Sequence, residues 1–230
     1  MGKRPSLMDR FVDGIEYGIL KGDMKVGEKL PTLRIMAEES GYSRSVINAG
    51  IVELENRGYL KILPTKWITV ADWRKEGTLA VIEGIMRYDL YGYEELKAIL
   101  DCRKLIECEC AYQAAMYADI GVLEELEQLI NNAKTLVTVN ERAEYDVNFH
   151  HLISIASGNL LYPIIMKSSG KSVYKLVSEF YKLDNIYGFV LDLHIIILNA
   201  LKAHDADLAK QKMLELLKHG EQKILKNYFK

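Results

Sequence analysis

Cysteine, proline and net charge are all scarce in this chain, and each scarcity removes a class of protein. Only three cysteines occur in 230 residues, and Cys102, Cys108 and Cys110 crowd into one short stretch. Cys108 and Cys110 are two apart and leave a helix in different directions, so neither a disulfide framework nor a thiolate metal knuckle is expected. With four prolines and 49% hydrophobic residues, the chain has no proline-rich linker and no disordered composition. No apolar run approaches the roughly 18 residues that a membrane helix needs. The first residues lack the order of a secretory signal, so a cytoplasmic protein without a membrane partner is the expectation. A net charge of −2 excludes a polycation or polyanion taken as a whole.

What charge there is, however, is divided unevenly. Residues 1–75 carry 13 Lys/Arg against 10 Asp/Glu, and the remainder carries 17 against 22. A mildly basic front on an acidic body points to a polyanionic partner for the front. At this length the chain suits one large or two small domains.

The periodicity agrees with two. Leu7, Phe11, Ile15 and Ile19 recur with helical spacing, and "KGDMKVGEKLP" ends that helix with glycines and a proline. "TLRIMAEESG" predicts a second short helix, stopped at Gly41. Ser43 then caps "RSVINAGIVELENRG", in which Val46, Ile47, Ile51 and Leu54 face a core. "YLKIL" and "WITV" follow as short strands around Pro64, Thr65 and Lys66. Three helices and a two-stranded hairpin make a winged helix-turn-helix over residues 1–72, with a linker at 73–79. From about Gly77 to Phe229 everything is helix-periodic, with helices expected over about 76–90, 92–117, 119–138, 142–157, 159–184, 187–203 and 205–227, and the second domain is placed at 80–230. The fold class is therefore mainly α: a winged helix-turn-helix with a small β-hairpin wing, then an all-α bundle large enough to enclose a ligand.

In a helix-turn-helix the second helix of the motif offers its first residues to base edges in the major groove. That assigns Ser43, Arg44, Ser45 and Asn48 to DNA. Arg44 has the fork that suits guanine, Asn48 suits adenine or phosphate, and the hydroxyls suit phosphate oxygens. Arg34 and the wing's Lys66 are further candidates. A two-fold operator in double-stranded DNA calls for two such helices, hence a homodimer.

The run "GEKLPTLRIMAEESGYSRSVINAGIVELENRGYLKILP" resembles the GntR family of transcription regulators, through Gly27, Glu28, Leu30-Pro31, Arg34 and Ser43-Arg44. The resemblance implies that Arg34 and Arg44 contact bases and phosphates. Three positions depart from the family pattern: Asn48 in place of an arginine, Gly50 in place of alanine, and Trp67 where the wing usually has glycine. A tryptophan there is expected to keep the wing out of the minor groove and to pack on the domain or on sugar-phosphate.

In the second half, "DVNFHH" places Asp146 and His150 at i and i+4, on one helix face, where both can point at one object. A lone pair of this kind is as a rule a surface hydrogen bond. But "RKLIE", "DVNFHHLISIASGN" and "HIIILNALKAHDADLAKQKMLELLKH" resemble the FCD ligand-binding domain of the FadR branch, over about residues 80–225. The resemblance implies a divalent metal held by Asp146, His150, His194 and His219. Imidazoles and a carboxylate suit Zn²⁺, Ni²⁺ or Mn²⁺, and on an octahedral ion they leave two positions for a small organic-acid effector.

Arg103, Tyr112, Asn159 and Tyr162 are the candidate effector contacts. Arg103 and Glu107 are also spaced for a structural ion pair, and Asn159 for a helix cap. His151 leaves its helix about 100° from His150, and both it and His204 are read as structural. The linker and "ASGNLLYPII" are also similar to the acyl-CoA-responsive members of the branch, which makes a metal-free acyl-CoA sensor the alternative. An open metal position can activate water. With no general base, phosphate loop or nucleophile motif beside the four ligands, an enzyme is not the expectation.

Overall fold

The computed structural model describes residues 4–64, 67–183 and 186–229, all but Lys171 with their side chains. They form two compact units, Met1–Leu90 and Tyr91–Lys230. Each element of the first unit starts where the sequence supplies a cap. In α1 (Leu7–Lys21), Ser6 Oγ accepts from Asp9 N at 3.1 Å while Asp9 accepts from Ser6 N at 2.8 Å, a reciprocal capping box. Thr32 opens α2 (Leu33–Ser40), and Ser43 opens α3 (Arg44–Asn56). Gly41, in the left-handed region at φ 72°, makes the turn between them. β1 (Leu60–Ile62) and β2 (Ile68–Val70) pair antiparallel, with Leu60 opposite Val70. The segment after α1 adds to that sheet through Leu30 N, which donates to Ile68 O at 2.9 Å.

The interior of this unit is Phe11, Val12, Ile19, Ile47, Ile51, Leu54 and Tyr59, all buried. Gly50, which departs from the family pattern, has a packing reason. A Cβ built on it would lie 2.5 Å from Phe11 Cδ1, so α1 and α3 approach as closely as they do only because that position has no side chain. α4 (Trp73–Glu76) and α5 (Ala80–Arg87) follow the hairpin. The sequence predicted one helix over about 76–90 belonging to the bundle, whereas α5 packs on α1 in the first unit. The buried carboxylate of Glu16 explains the preference. It accepts from Arg57 Nη1 at 2.9 Å and from Tyr59 Oη at 3.3 Å, and Gly84 of α5 lies against its Oε1. Burial raises the Glu16 pKa, with Arg87 and Arg57 pulling it back.

The second unit contains α6 (Tyr93–Tyr117), α7 (Ile120–Ala133), α8 (Val139–Ala156), α9 (Leu161–Ser168), α10 (Gly170–Tyr181), α11 (Tyr187–Lys202) and α12 (Ala206–Tyr228). α12 lies along α6 and α11, while α8 is packed by α6, α7, α9 and α10. Enclosed in that way, α8 buries Ala143, Tyr145, Asp146, Phe149, His150, Ile153 and Ser154, more than one stripe of a surface helix would. The helix expected over 159–184 is two. Ser168 Oγ and Ser169 Oγ donate back to Ile164 O (2.8 Å) and Ile165 O (3.2 Å), and Gly170 follows, so the chain turns at Ser169 into α10.

Gly50→Ala tests the close approach of α1 and α3. It should destabilise the protein by about 1–3 kcal/mol through overpacking against Phe11, read as a lower urea midpoint with an unchanged slope. Gly14→Ala, whose Cβ meets nothing within 4 Å, should be neutral or mildly stabilising.

Candidate metal centre and DNA-facing surface

The three buried donors that the bundle brings together are Asp146 and His150 from α8 and His194 from α11. One ligand atom from each lies within 4.8 Å of the others. Their outward atoms are already spoken for. Tyr181 Oη donates to Asp146 Oδ2 at 2.7 Å, which leaves Oδ1 facing His150 Nε2 across 3.7 Å. His150 Nδ1 is 2.5 Å from Glu107 Oε2. That approach fails the directional criteria of a hydrogen bond, so the contact is an electrostatic one. His194 Nδ1 is 2.8 Å from Tyr145 Oη, and the ring stacks on Phe149 with centroids 3.7 Å apart. His194 Nε2 is buried without a hydrogen-bond partner.

A buried imidazole nitrogen with no partner is costly unless something else satisfies it. A metal ion would, because each ring nitrogen turned outward has a group that holds it, the arrangement that orients metal-binding histidines. The 3.7 Å gap between Asp146 Oδ1 and His150 Nε2 is too long for a hydrogen bond. It is close to the separation of about 3–3.5 Å that two donors take on one ion with bonds of about 2.0–2.2 Å. Burial, and next to it the neighbouring His150, push the His194 pKa well below its usual value, so this imidazole is neutral as ligation requires. Burial works against the charge on Glu107. Arg103 and His150 outweigh it and bring the pKa down to about 2. Arg103 Nε donates to Glu107 Oε1 at 2.6 Å, so the ion pair foreseen in the sequence is formed.

A cavity of about 30 Å³ opens beside Asp146 and His150. Leu100, Val177, Phe180, Leu216, Leu217 and Ile224 give it apolar walls, and Arg103 also lines it. His219 is not part of the cluster. On α12 the cavity is faced by Leu216, Leu217, Gly220 and Ile224. His219 leaves the helix about 100° from Gly220, and its ring rests 4.3 Å from that of Phe189. Motif order proposed His219, and helical phase sends it elsewhere.

Of the effector candidates, Arg103 reaches the cavity and the other three serve elsewhere. Tyr112 has the Lys210 ammonium 5.3 Å from its ring centre. Asn159 Oδ1 accepts from Leu161 N at 2.8 Å, as a cap. Tyr162 lines a separate groove with Lys104 and Leu105. His204 Nδ1 ties its turn to Ala115 O at 2.8 Å, in keeping with a structural role. The sequence did not single out Tyr145 and Tyr181, since only tertiary packing brings a tyrosine hydroxyl to the outward atom of a buried histidine or aspartate.

In the first unit, Ser43, Arg44, Ser45 and Asn48 are all exposed on the first half of α3. Ser43 Oγ accepts from Val46 N and lies 2.9 Å from Ser45 Oγ. Arg34 pairs with Glu38 at 2.9 Å, both exposed, a bond weak enough to exchange for phosphate. Arg34, Asn48 and Trp67 border one cleft of about 450 Å³. Trp67 is 45% exposed, with Lys29 Nζ 4.4 Å above its ring. Lys66 lies outside the described residues.

The FCD domain model matches residues 98–219, more than half of the chain. The chain therefore belongs to the FCD-domain branch of the GntR family, and is a DNA-binding transcriptional regulator of that type. Among its relatives are the Exu regulon transcriptional regulator of Escherichia coli (28% identical, covering 93% of this chain and 82% of the relative) and the Glc operon transcriptional activator of E. coli (28%, covering 80% and 73%). The fatty acid metabolism regulator protein of Shewanella putrefaciens is also 28% identical, covering 67% of this chain and 64% of that one. In fold, the chain is similar to Lar of Listeria monocytogenes (TM-score 0.68, 14% identity, covering 98% and 99%) and to a GntR family member from Pseudomonas syringae (TM-score 0.52, 14%, covering 96% and 85%). Among the described residues, no helix is long and apolar enough to cross a membrane.

The depressed pKa of His194 has a consequence for metal-free protein. Above pH 6.5, its usual value, the imidazole is neutral folded and unfolded, and contributes no pH dependence. Below that, the unfolded chain takes up a proton that the folded one resists, so stability falls as pH falls. In chelator-treated protein, urea unfolding between pH 7.5 and 5 should lose up to about 1.4 kcal/mol per pH unit from this group. The loss should be smaller in His194→Gln.

Proposed function

We propose that this regulator grips a two-fold operator as a cytoplasmic homodimer and holds a divalent ion, Zn²⁺, Ni²⁺ or Mn²⁺, with Asp146, His150 and His194. A small organic acid bound at that ion changes the affinity for DNA. The observation that carries the metal reading is the buried, unpartnered Nε2 of His194 beside Asp146 and His150. The ion would supply a Lewis-acid anchor for a carboxylate, and a regulator needs no more than that. Coupling to DNA requires only that the acid bind two states of the protein with different affinity. For DNA, the reading rests on Arg44, exposed at the start of α3 and without an ion pair among the described residues.

Acyl-CoA sensing is the second reading, favoured by the similarity to the Shewanella fatty acid metabolism regulator. The cavity beside the cluster argues against it. At about 30 Å³ it has room for an ion with one or two small donors, while ligand pockets usually span ~300–1,000 Å³.

Two mutational contrasts test the proposal. His150→Ala should purify with little metal, whereas His151→Ala keeps the wild-type content. Equal content in the two, with a wild type that cannot be loaded, would leave the acyl-CoA reading. Arg44→Ala should weaken operator binding by about 1–3 kcal/mol and relax discrimination at one base position, measured by fluorescence anisotropy against salt. An unchanged affinity and salt slope would remove Arg44 from the interface.

A further inference from the structure

Lys29 stands on the short segment that extends the wing's sheet. Leu30 N donates to Ile68 O and Val70 N donates to Glu28 O, each at 2.9 Å, so the backbone on both sides of Lys29 is fixed against β2. The residue is exposed, and its ammonium stands 4.4 Å from the centre of the Trp67 ring. Other exposed cations of this unit have a carboxylate: Lys21 has Asp23, Lys61 has Glu76 and Arg87 has Asp13. Lys29 has none among the described residues. The adjacent acid, Glu28, is turned back to accept from Lys25 N at 2.9 Å.

We infer that Lys29 and Trp67 form a phosphate clamp: the indole holds the ammonium in place, and the ammonium binds one backbone phosphate of the operator at the flank of the half-site, without touching a base. This rests on the placement of α3 in the major groove and adds a contact outside the residues assigned so far. The two surfaces adjoin, because Trp67 borders the cleft that Asn48 of α3 and Arg34 of α2 also border.

Shape and charge favour phosphate over a base edge. The ring and ammonium centres are 4.4 Å apart before either radius is added, so the pair is too thick for a minor groove about 6 Å wide. The phosphates on the rim of the groove remain within its reach. A lysine ammonium is a point charge with three donors, which suits phosphate oxygens and carries no sequence information there. Trp67 is the positioning residue. A free lysine samples many rotamers, and ordering it on DNA costs entropy. Attraction between ring and cation restricts it beforehand. The wing therefore contributes affinity and salt dependence, and leaves sequence to α3.

The experiment uses the full-length protein and a short duplex recovered by in-vitro selection with the wild type, with binding followed by fluorescence anisotropy against salt. Lys29→Met keeps an apolar stem on the indole and removes the charge. It should bind about threefold to tenfold more weakly, on the selected duplex and on a scrambled one alike, and the salt slope should fall by about 0.9 for each bound protomer. Trp67→Ala leaves the charge, so affinity should fall while the slope is kept, and Trp67→Phe should recover most of the loss. Replacing phosphates one at a time by neutral methylphosphonate locates the partner: one flanking position should weaken the wild type and leave Lys29→Met unaffected. An unchanged salt slope in Lys29→Met, or the absence of any such position, would overturn the inference. So would a loss confined to the selected duplex, which is the mark of a base contact. If Arg44→Ala still relaxes discrimination, each of those results leaves α3 in the groove. Full discrimination by Arg44→Ala would instead overturn the placement of α3 on which the inference depends.

Discussion

Two imidazoles and a carboxylate are buried at the centre of the bundle, where a polar atom without a partner costs roughly as much as a well-packed apolar side chain contributes. The structure deals with this cost group by group. Tyr181 holds one oxygen of Asp146, Tyr145 holds one nitrogen of His194, and Glu107 lies against His150. Each partner in turn needs its own support, which is why Arg103 is nearly buried beside Glu107, with only 11% of its side chain exposed. The chain of satisfied groups ends at His194 Nε2, which none of them reaches. His194 Nε2 thus stays without a hydrogen-bond partner beside Asp146 and His150, the feature on which the proposed metal centre rests.

The first unit solves a similar problem differently. Glu16 is fully buried, and its partners Arg57 and Tyr59 come from the end of α3 and the start of β1. A single carboxylate thereby fixes the far end of α3 relative to α1. Gly84 lets α5 come against the same group. Asp13 adds Arg87 at 2.7 Å and the Tyr88 hydroxyl at 3.2 Å. Breaking one partner of such a network leaves a buried charge unpaired, so the elements it joins move as one. The exposed half of α3, proposed to meet DNA, is left free of these obligations.

The wing shows how one substitution changes a surface without changing the fold. Its two strands pair in ordinary antiparallel register. Trp67, in place of a small residue, takes the Lys29 ammonium on its ring and borders the cleft that also holds Arg34 and Asn48. An indole with a cation on one face is suited to a sugar-phosphate edge.

The sequence by itself determined what depends on local rules. Ser43 caps α3 because a hydroxyl three residues before an amide can satisfy it, and such a signal needs no tertiary context. The pairing of Asp146 with His150, and of Arg103 with Glu107, followed from helical periodicity alone. Tertiary structure decided whatever depends on which neighbour encloses an element. Enclosure by four helices put α8 in the core, where a spacing that is usually superficial becomes a buried pair beside His194. The buried carboxylate of Glu16 drew α5 to the first unit, a choice that the apolar pattern of residues 79–86 leaves open. The rotation of α12 sent His219 to Phe189 and Leu216 to the cavity. One residue along a helix is a small step in sequence and about 100° in space, so a histidine at the right place in a motif can still point away from the cluster.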